Sequence, residues 1–262
     1  MGSARRNTLY ATVSKGYKAG GFNTQMFSDV LQQQVMKQMG FGSLYDVADV
    51  VTYKPEKSWN YEVGAHLSTP SHKVQADLAL FYIDCRDQQL TVFPEGQVTG
   101  RLMTNAGRTR SFGGEASLLA TLWRNLDLQV AYGYTRATFV KFDTGKADYA
   151  GNFIPYAPQH TLYAGASYTL RTGWNWLEYV IFRVAANGAG RIYWNEANTF
   201  SQPFYALLEA SIRFEHRHWA VDVWGRNLTD TRYDTFYFMS IGNSFLQRGR
   251  PRTFGVSLSI TL

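Results

Sequence analysis

The chain has 262 residues, of which 45% are hydrophobic, 16% aromatic and 18% charged, against about 25% charged in an ordinary soluble domain, so a disordered chain is excluded. The net charge of +6 comes from Lys and Arg scattered along the chain without a nucleic-acid motif, so no nucleic-acid partner is expected. No run of about 18 apolar residues offers a transmembrane helix, and the single cysteine, Cys85, cannot close an internal disulfide.

The opening MGSARRN has neither an apolar stretch nor a cleavage site, which predicts either a cytoplasmic protein or a piece of a longer one. Ten strands are then predicted, at about 8–15, 58–68, 73–93, 101–122, 126–139, 159–170, 177–190, 203–213, 219–228 and 245–262, with ends good to a few residues. In the second, Trp59, Tyr61, Val63, Ala65 and Leu67 alternate with Asn60, Glu62, Gly64 and His66, the period of a strand with one wet face. The fifth repeats it from Leu126 to Tyr134, the eighth from Phe204 to Phe214, and the tenth from Phe254 to Leu262. Six of the seven prolines fall between segments or at a first residue, where a missing N–H breaks no ladder; Pro251 lies within the tenth.

The connections alternate in kind. Tight turns are expected near 69–72, 123–125, 171–176 and 214–218, and longer links at 16–57, 94–100, 140–158, 191–202 and 229–244. One short and one elaborate rim is the pattern of an antiparallel, up-and-down transmembrane β-barrel. Strands of about ten residues also match the 9–11 needed to cross a bilayer. Trp123, Trp174, Trp176 and Trp219 sit in or beside three of the tight turns and are expected to form a membrane-interface girdle. Tyr82, Tyr132, Tyr134 and Trp224 are expected to form the opposite one.

Several strings then resemble a known family: YATVSKGYKAGGFN (10–23), PEKSWNYEVGAHLS (55–68), ALFYIDCRDQQLTVF (79–93), NAGRTRSFGGEASL (105–118), IPYAPQHTLYAGASY (154–168), NLTDTRYDTFYF (227–238) and GRPRTFGVSLSITL (249–262). They resemble, in order, the C-terminal barrel of TonB-dependent outer-membrane receptors, and more the siderophore-type branch than the glycan importers. The resemblance implies an outer-membrane location and residues 1–262 as the last ten strands of a 22-stranded barrel. The plug domain and earlier strands have no counterpart here. The implied partners are outer-membrane lipid and lipopolysaccharide, the remaining strands and plug, TonB through that plug alone, and a small iron chelate; no cofactor and no enzyme activity are implied. The family usually ends in an aromatic residue, whereas this chain ends in Leu262.

An open sheet edge cannot face hydrocarbon, so the first and last strands must either pair with each other in a narrow ten-stranded barrel or with missing strands. The 16–57 link is long enough to be functional or disordered. It is expected on the extracellular side, and Phe27, Leu31, Val35 and Met39 recur in it at helical spacing. On the long-loop rim, Tyr17, Lys18, Phe22, Tyr149, Tyr156, Arg191, Tyr193, Trp194 and Tyr237, with Tyr233 and Phe236, are candidates for binding an anionic, aryl-bearing ligand. The plainer alternative is that such loops are commonly rich in Tyr, Asn and Arg.

A competing reading is a self-contained ten-stranded outer-membrane barrel acting as a protease-like enzyme or an adhesin, with Asp84 and Asp87 near a strand end and His160 as their partner. Neither a phosphate loop nor a nucleophile elbow accompanies it. His216 and His218 form the one close histidine pair, which without further ligands is read as solvated rather than as a metal site.

Overall fold

The computed structural model describes residues 7–24, 31, 34, 35, 37–40, 51–71, 73–92, 102–123, 125–144, 147–240 and 243–261. Ten long strands form one antiparallel sheet: β1 Thr8–Lys18, β2 Glu56–Ser68, β3 Val74–Val92, β4 Leu102–Leu122, β5 Leu126–Lys141, β6 His160–Trp174, β7 Leu177–Gly190, β8 Tyr205–His216, β9 Trp219–Arg226 and β10 Thr253–Ile260. Each pairs with its sequence neighbours, so the order in space is the order in the chain. Among the described residues no ladder joins β1 to β10, and the sheet is open. The narrow closed barrel is therefore not the arrangement adopted.

Directly opposed residues of an antiparallel pair share a face, so the registers can be followed across the wall. Ala65 opposes Leu78, Leu78 opposes Ala116, Ala116 opposes Tyr132 and Tyr132 opposes Leu162. Farther along, Tyr168, Phe182, Ile212, Val223 and Val256 form one row. Every strand thus puts its apolar set on the same side, and that side is open: Leu80 is 64% exposed and Val256 68%. Leaving a Leu or Val side chain in water forgoes about 1.5–3 kcal/mol; a face whose middle rows are built of such residues, with Lys15, Asp84 and Arg110 only toward the long-loop end, is suited to lipid.

The opposite face carries Glu62, His66, Asp77, Glu115, Asp127, Gln129, Arg183, Glu209, Asp222 and Arg226, placed there by the same registers. Among the described residues the other sheets are only two-stranded ribbons in the connections. The buried apolar clusters lie instead among the long connections, one around Phe139, Phe142 and Ile154 and one around Ile192, Trp194 and Tyr237.

Three expectations change. The predicted strand 245–262 is two elements: Asn243–Arg248 pairs with Asp234–Ser240 as a hairpin inside the β9–β10 connection, and the wall strand begins only at Thr253. Gly249 and Pro251 interrupt the ladder between them. Trp224 opposes Ser211 and Gly255 and donates to the Ser257 hydroxyl at 3.1 Å, so it belongs to the polar face and not to a lipid girdle. The 16–57 link shortens at both ends, because β1 runs on to Lys18 and β2 starts at Glu56. Within it Leu31 and Val35 are helical and, with Met39, exposed; Phe27 lies outside the described residues.

Candidate ligand-facing rim and polar wall

The strand ends on the long-loop side bring three connections together. The β5–β6 connection folds back on its own strand: the Phe139 amide donates to Asn152, and the Ile154 amide to the Ala137 carbonyl. This lays Ile154 and Phe142 against Phe139 and Ala137. The β7–β8 connection forms a two-residue ribbon, Ile192–Tyr193 with Ser201–Gln202. The β9–β10 connection supplies the hairpin that carries Phe236 and Tyr237.

Tyr156 is where they meet. Its ring stacks on Phe236 at 5.5 Å and tilts against Trp194 at 5.5 Å. Its hydroxyl donates to the Tyr237 carbonyl at 2.9 Å, and its amide donates to the Tyr193 carbonyl at 2.8 Å. Tyr156 takes a left-handed backbone (φ 62), uncommon for a bulky side chain. Burial pushes its hydroxyl pKa up to about 12, with Glu196 adding negative potential. Beside it Tyr193 stacks on Phe153, and the Arg136 guanidinium lies over the Phe153 ring, 5.7 Å from its centre.

Of the sequence candidates, Tyr156, Tyr193, Trp194, Phe236 and Tyr237 come together here, with the Arg191 carbonyl at the loop entry accepting from the Gln159 amide. Trp194 and Tyr237 are buried and 7% exposed each; they hold the loops, while Tyr156 and Arg191 reach the surface. Tyr149 packs in the neighbouring cluster against Phe142, and Tyr233 stacks on Tyr205. Tyr17, Lys18 and Phe22 stand apart at the end of β1 and just beyond it. Trp123, Trp174 and Trp176 are exposed at the tight turns, the last two stacked at 5.3 Å, and Trp219 stacks on His216.

Amide side chains were not foreseen, and they organise the rim. Asn198 donates to the Phe153 carbonyl and accepts from the Phe153 amide, so it acts as a strand partner for one residue. Asn23 does the same for Met103. Gln89 bridges Ala19 and Lys54, and Gln202 accepts from the Asp234 amide. Asn227 closes the β9–β10 connection through Thr231 and Arg250.

Below the rim, the polar face holds two hollows. One of about 460 Å³ is bordered by Gln129, Tyr163, Arg183, Glu209, Asp222 and Trp224. The other, of about 510 Å³, is bordered by Tyr10, His66, Asp77, Glu115 and Ser117. In the second, His66 and Asp77 are 2.7 Å apart, Ser117 donates to the same carboxylate at 3.0 Å, and Tyr10 donates to Glu62 at 2.8 Å. These bonds link β1 to β2, β2 to β3 and β3 to β4.

The protease-like pairing does not form. Asp84 accepts from the Arg108 Nε at 2.7 Å, whereas His160 contacts the Tyr132 hydroxyl at 2.7 Å. Three strand spacings separate Asp84 on β3 from His160 on β6, about 14 Å.

A sheet with a lipid-suited face, a polar hollowed face, tight turns on one rim and packed loops on the other is a length of outer-membrane β-barrel wall. The family model of the TonB-dependent receptor-like β-barrel matches residues 5–228, and the chain belongs to that family. It is 27% identical over 258 residues to the pesticin receptor of Yersinia pestis, covering 96% of this chain and 33% of that protein. The ferric yersiniabactin uptake receptor FyuA of Yersinia pestis superimposes with a TM-score of 0.75 at 23% identity, over 98% of this chain and 35% of that one. The ferric preacinetobactin receptor BauA of Acinetobacter baumannii gives 0.66 at 18%, over 98% and 34%. The chain thus spans about a third of the length of the relatives it matches.

Proposed function

We propose that this chain is the C-terminal part of the barrel of a receptor that takes up a scarce iron chelate, energised by TonB through a plug domain seated on the polar face. The observation that carries the reading is the division of the sheet into a lipid-suited and a polar face, together with a first and a last strand, β1 and β10, that share no ladder among the described residues. Such edges are tolerated in a bilayer only when further strands complete the wall. The names of the relatives favour a ferric siderophore as cargo. Tyr156, Tyr193 and Arg191 are the ligand-facing part of the rim: aromatic faces beside a cation suit an anionic, aryl-bearing chelate. Tyr17, Lys18 and Phe22 would contribute from the β1 side and Tyr149 from the adjoining cluster, while Trp194 and Tyr237 support Tyr156 from below.

The test is uptake of radioactive iron as a ferric catecholate or ferric yersiniabactin-type chelate by cells whose only siderophore receptor is this protein with its natural flanking sequence. Uptake that disappears on deleting TonB, and falls for Arg191→Ala with Tyr193→Ala, is expected. Uptake indifferent to TonB would overturn the proposal.

A further inference from the structure

The last wall strand takes little guidance from its own pattern. β8 and β9 are joined by the tight turn at residues 217–218, which fixes how they face each other. β9 and β10 are joined by residues 227–252, a connection long enough to leave the pairing free. The alternation on β10 does not settle it either. Val256, Leu258 and Ile260 on the lipid-suited face, and Ser257 and Ser259 on the polar one, would suit β9 equally well after a slip of two residues. Such a slip keeps every side chain on its face, so only unlike residues can tell the registers apart.

Trp224 and Gly225 on β9, opposite Gly255 and Phe254 on β10, are those unlike residues. On the polar face the Trp224 indole lies on Gly255, where a β-carbon would overlap the ring, and its N–H reaches diagonally to the Ser257 hydroxyl at 3.1 Å. The Arg226 guanidinium lies over the same indole, 4.8 Å from its centre. On the lipid-suited face the Phe254 ring lies on Gly225, 2.9 Å from where a β-carbon would stand. Each strand thus gives one ring and receives one. Single rings lie on facing glycines elsewhere, Tyr10 on Gly64 and Phe81 on Gly113; among the described residues only β9 and β10 carry two, side by side and on opposite faces.

We propose that these four residues are a register lock for the last strand: they fix where β10 stands against β9, and so which β10 groups meet the strand that completes the wall. A slip of two either way sets Trp224 against Ser257 or Thr253, whose side chains leave no room for an indole lying flat on the backbone. It would also change the stagger on which barrel closure depends. That consequence for closure rests on further strands completing the wall, as the receptor reading has it; the lock itself is independent of cargo and plug.

The test moves the lock and asks whether the strand follows. In the protein with its natural flanking sequence, folded in outer membranes, cysteine pairs report the register: Val221→Cys with Leu258→Cys for the observed one, and Val221→Cys with Ile260→Cys for the slipped one. Opposed residues lie within disulfide reach, about 4.5–5.5 Å between Cα atoms, and diagonal ones beyond it at about 7–8 Å. With the lock unaltered, the first pair should oxidise at least about tenfold more than the second. Phe254→Val, Gly255→Ser, Val256→Phe and Ser257→Gly together shift ring and notch by two residues without altering the composition of β10. They should reverse the preference, so that the second pair oxidises instead. A relocated lock that still cross-links through the first pair overturns the proposal. Where that variant does not insert, Trp224→Leu with Phe254→Leu, which keeps apolar bulk but no flat ring, decides: the preference should fall to about threefold or less, and an unchanged preference overturns the proposal. Asn227→Ala is the control for the connection, because Asn227 bonds the Thr231 and Arg250 backbones at its base; it should leave the first pair dominant. A shifted register there, with none on moving the rings, would assign the pairing to the connection and likewise overturn the lock.

Discussion

The Tyr156 hydroxyl donates to the carbonyl of Tyr237, 81 residues farther along, and so fastens the β5–β6 connection to the β9–β10 hairpin. Removing the hydroxyl by Tyr156→Phe keeps the stack on Phe236 but leaves that carbonyl one donor short, a loss of about 1 kcal/mol. Tyr156→Ala also removes the ring and should cost about twice as much, less than a fully buried aromatic would. Protease nicking of residues 227–252 is the measure, and both variants should be cut faster, the Ala variant most. Equal rates for all three proteins would show that the contact does not hold the hairpin.

The same residue gives the rim a pH limit. Burial raises the folded phenol from the ordinary 10.0 to about 12, so the neutral form is favoured by folding. Its contribution is fully present below pH 10 and is lost as the pH climbs from 10 to about 12. Titration of phenolate absorbance in the unaltered protein against Tyr156→Phe should place this tyrosine among the last to ionise, with loop nicking rising over the same interval. A Tyr156 that ionises at pH 10 would contradict the packing described.

Asn198 offers a sharper test of how the loops are held. Its amide makes both hydrogen bonds that a neighbouring strand would give Phe153, so Asn198→Ala leaves a partly buried donor and acceptor unpaired, at about 1–3 kcal/mol. Asn198→Asp keeps the acceptor and loses the donor, and should fall between. Amide exchange at Phe153 is expected to quicken in that order, while exchange in β4 and β5 stays as it was. A change spread through the wall strands would mean that Asn198 supports the sheet rather than the loop.

Reading the wall from the amino-acid order works because burial against lipid imposes a period of two that nothing else in the chain mimics for so long. Trp59 to Leu67 shows it, and the structure keeps every one of those residues on the expected side. The same period misled at Phe245, whose alternation is genuine but is used in a loop hairpin; Gly249 and Pro251 mark the break. Trp224 was misassigned by residue type, although it lies out of phase with Trp219, Val221 and Val223 on its own strand. The rim was only half readable. Aromatics announce themselves by composition, but Asn23, Gln89, Asn198 and Gln202 act through partners 32 to 80 residues away, and no local pattern marks an amide that will stand in for a peptide bond.

If the two faces of the sheet meet different media, adjacent residues of β3 should respond oppositely to the same charge. Leu78 lies on the lipid-suited face midway between Tyr82 and the tight turn that precedes Val74, and Ala79 lies on the hollowed one. Leu78→Arg is expected to cost about 2–4 kcal/mol, and Ala79→Arg, beside Glu115 and Asp77, under about 1. Denaturant unfolding from phosphatidylcholine vesicles measures both. Equal costs would argue against lipid on either side.

The tryptophans allow the same division to be read by light. Trp123, Trp174 and Trp176 are 80%, 57% and 62% exposed at the tight turns, and Trp219 adjoins the last of those turns on the lipid-suited face, opposite Ile260. Amphipathic indoles at such places settle at headgroup depth. Trp224 instead points to the polar side with its N–H on Ser257. In variants that keep one tryptophan each, lipids brominated near the carbonyl should quench Trp174 and Trp219 more than lipids brominated at the chain ends. Trp224 should respond to aqueous acrylamide and to neither lipid. Strong lipid quenching of Trp224 would reverse the assignment of faces on β9, and with it the placement of Asp222 and Arg226 on the polar wall.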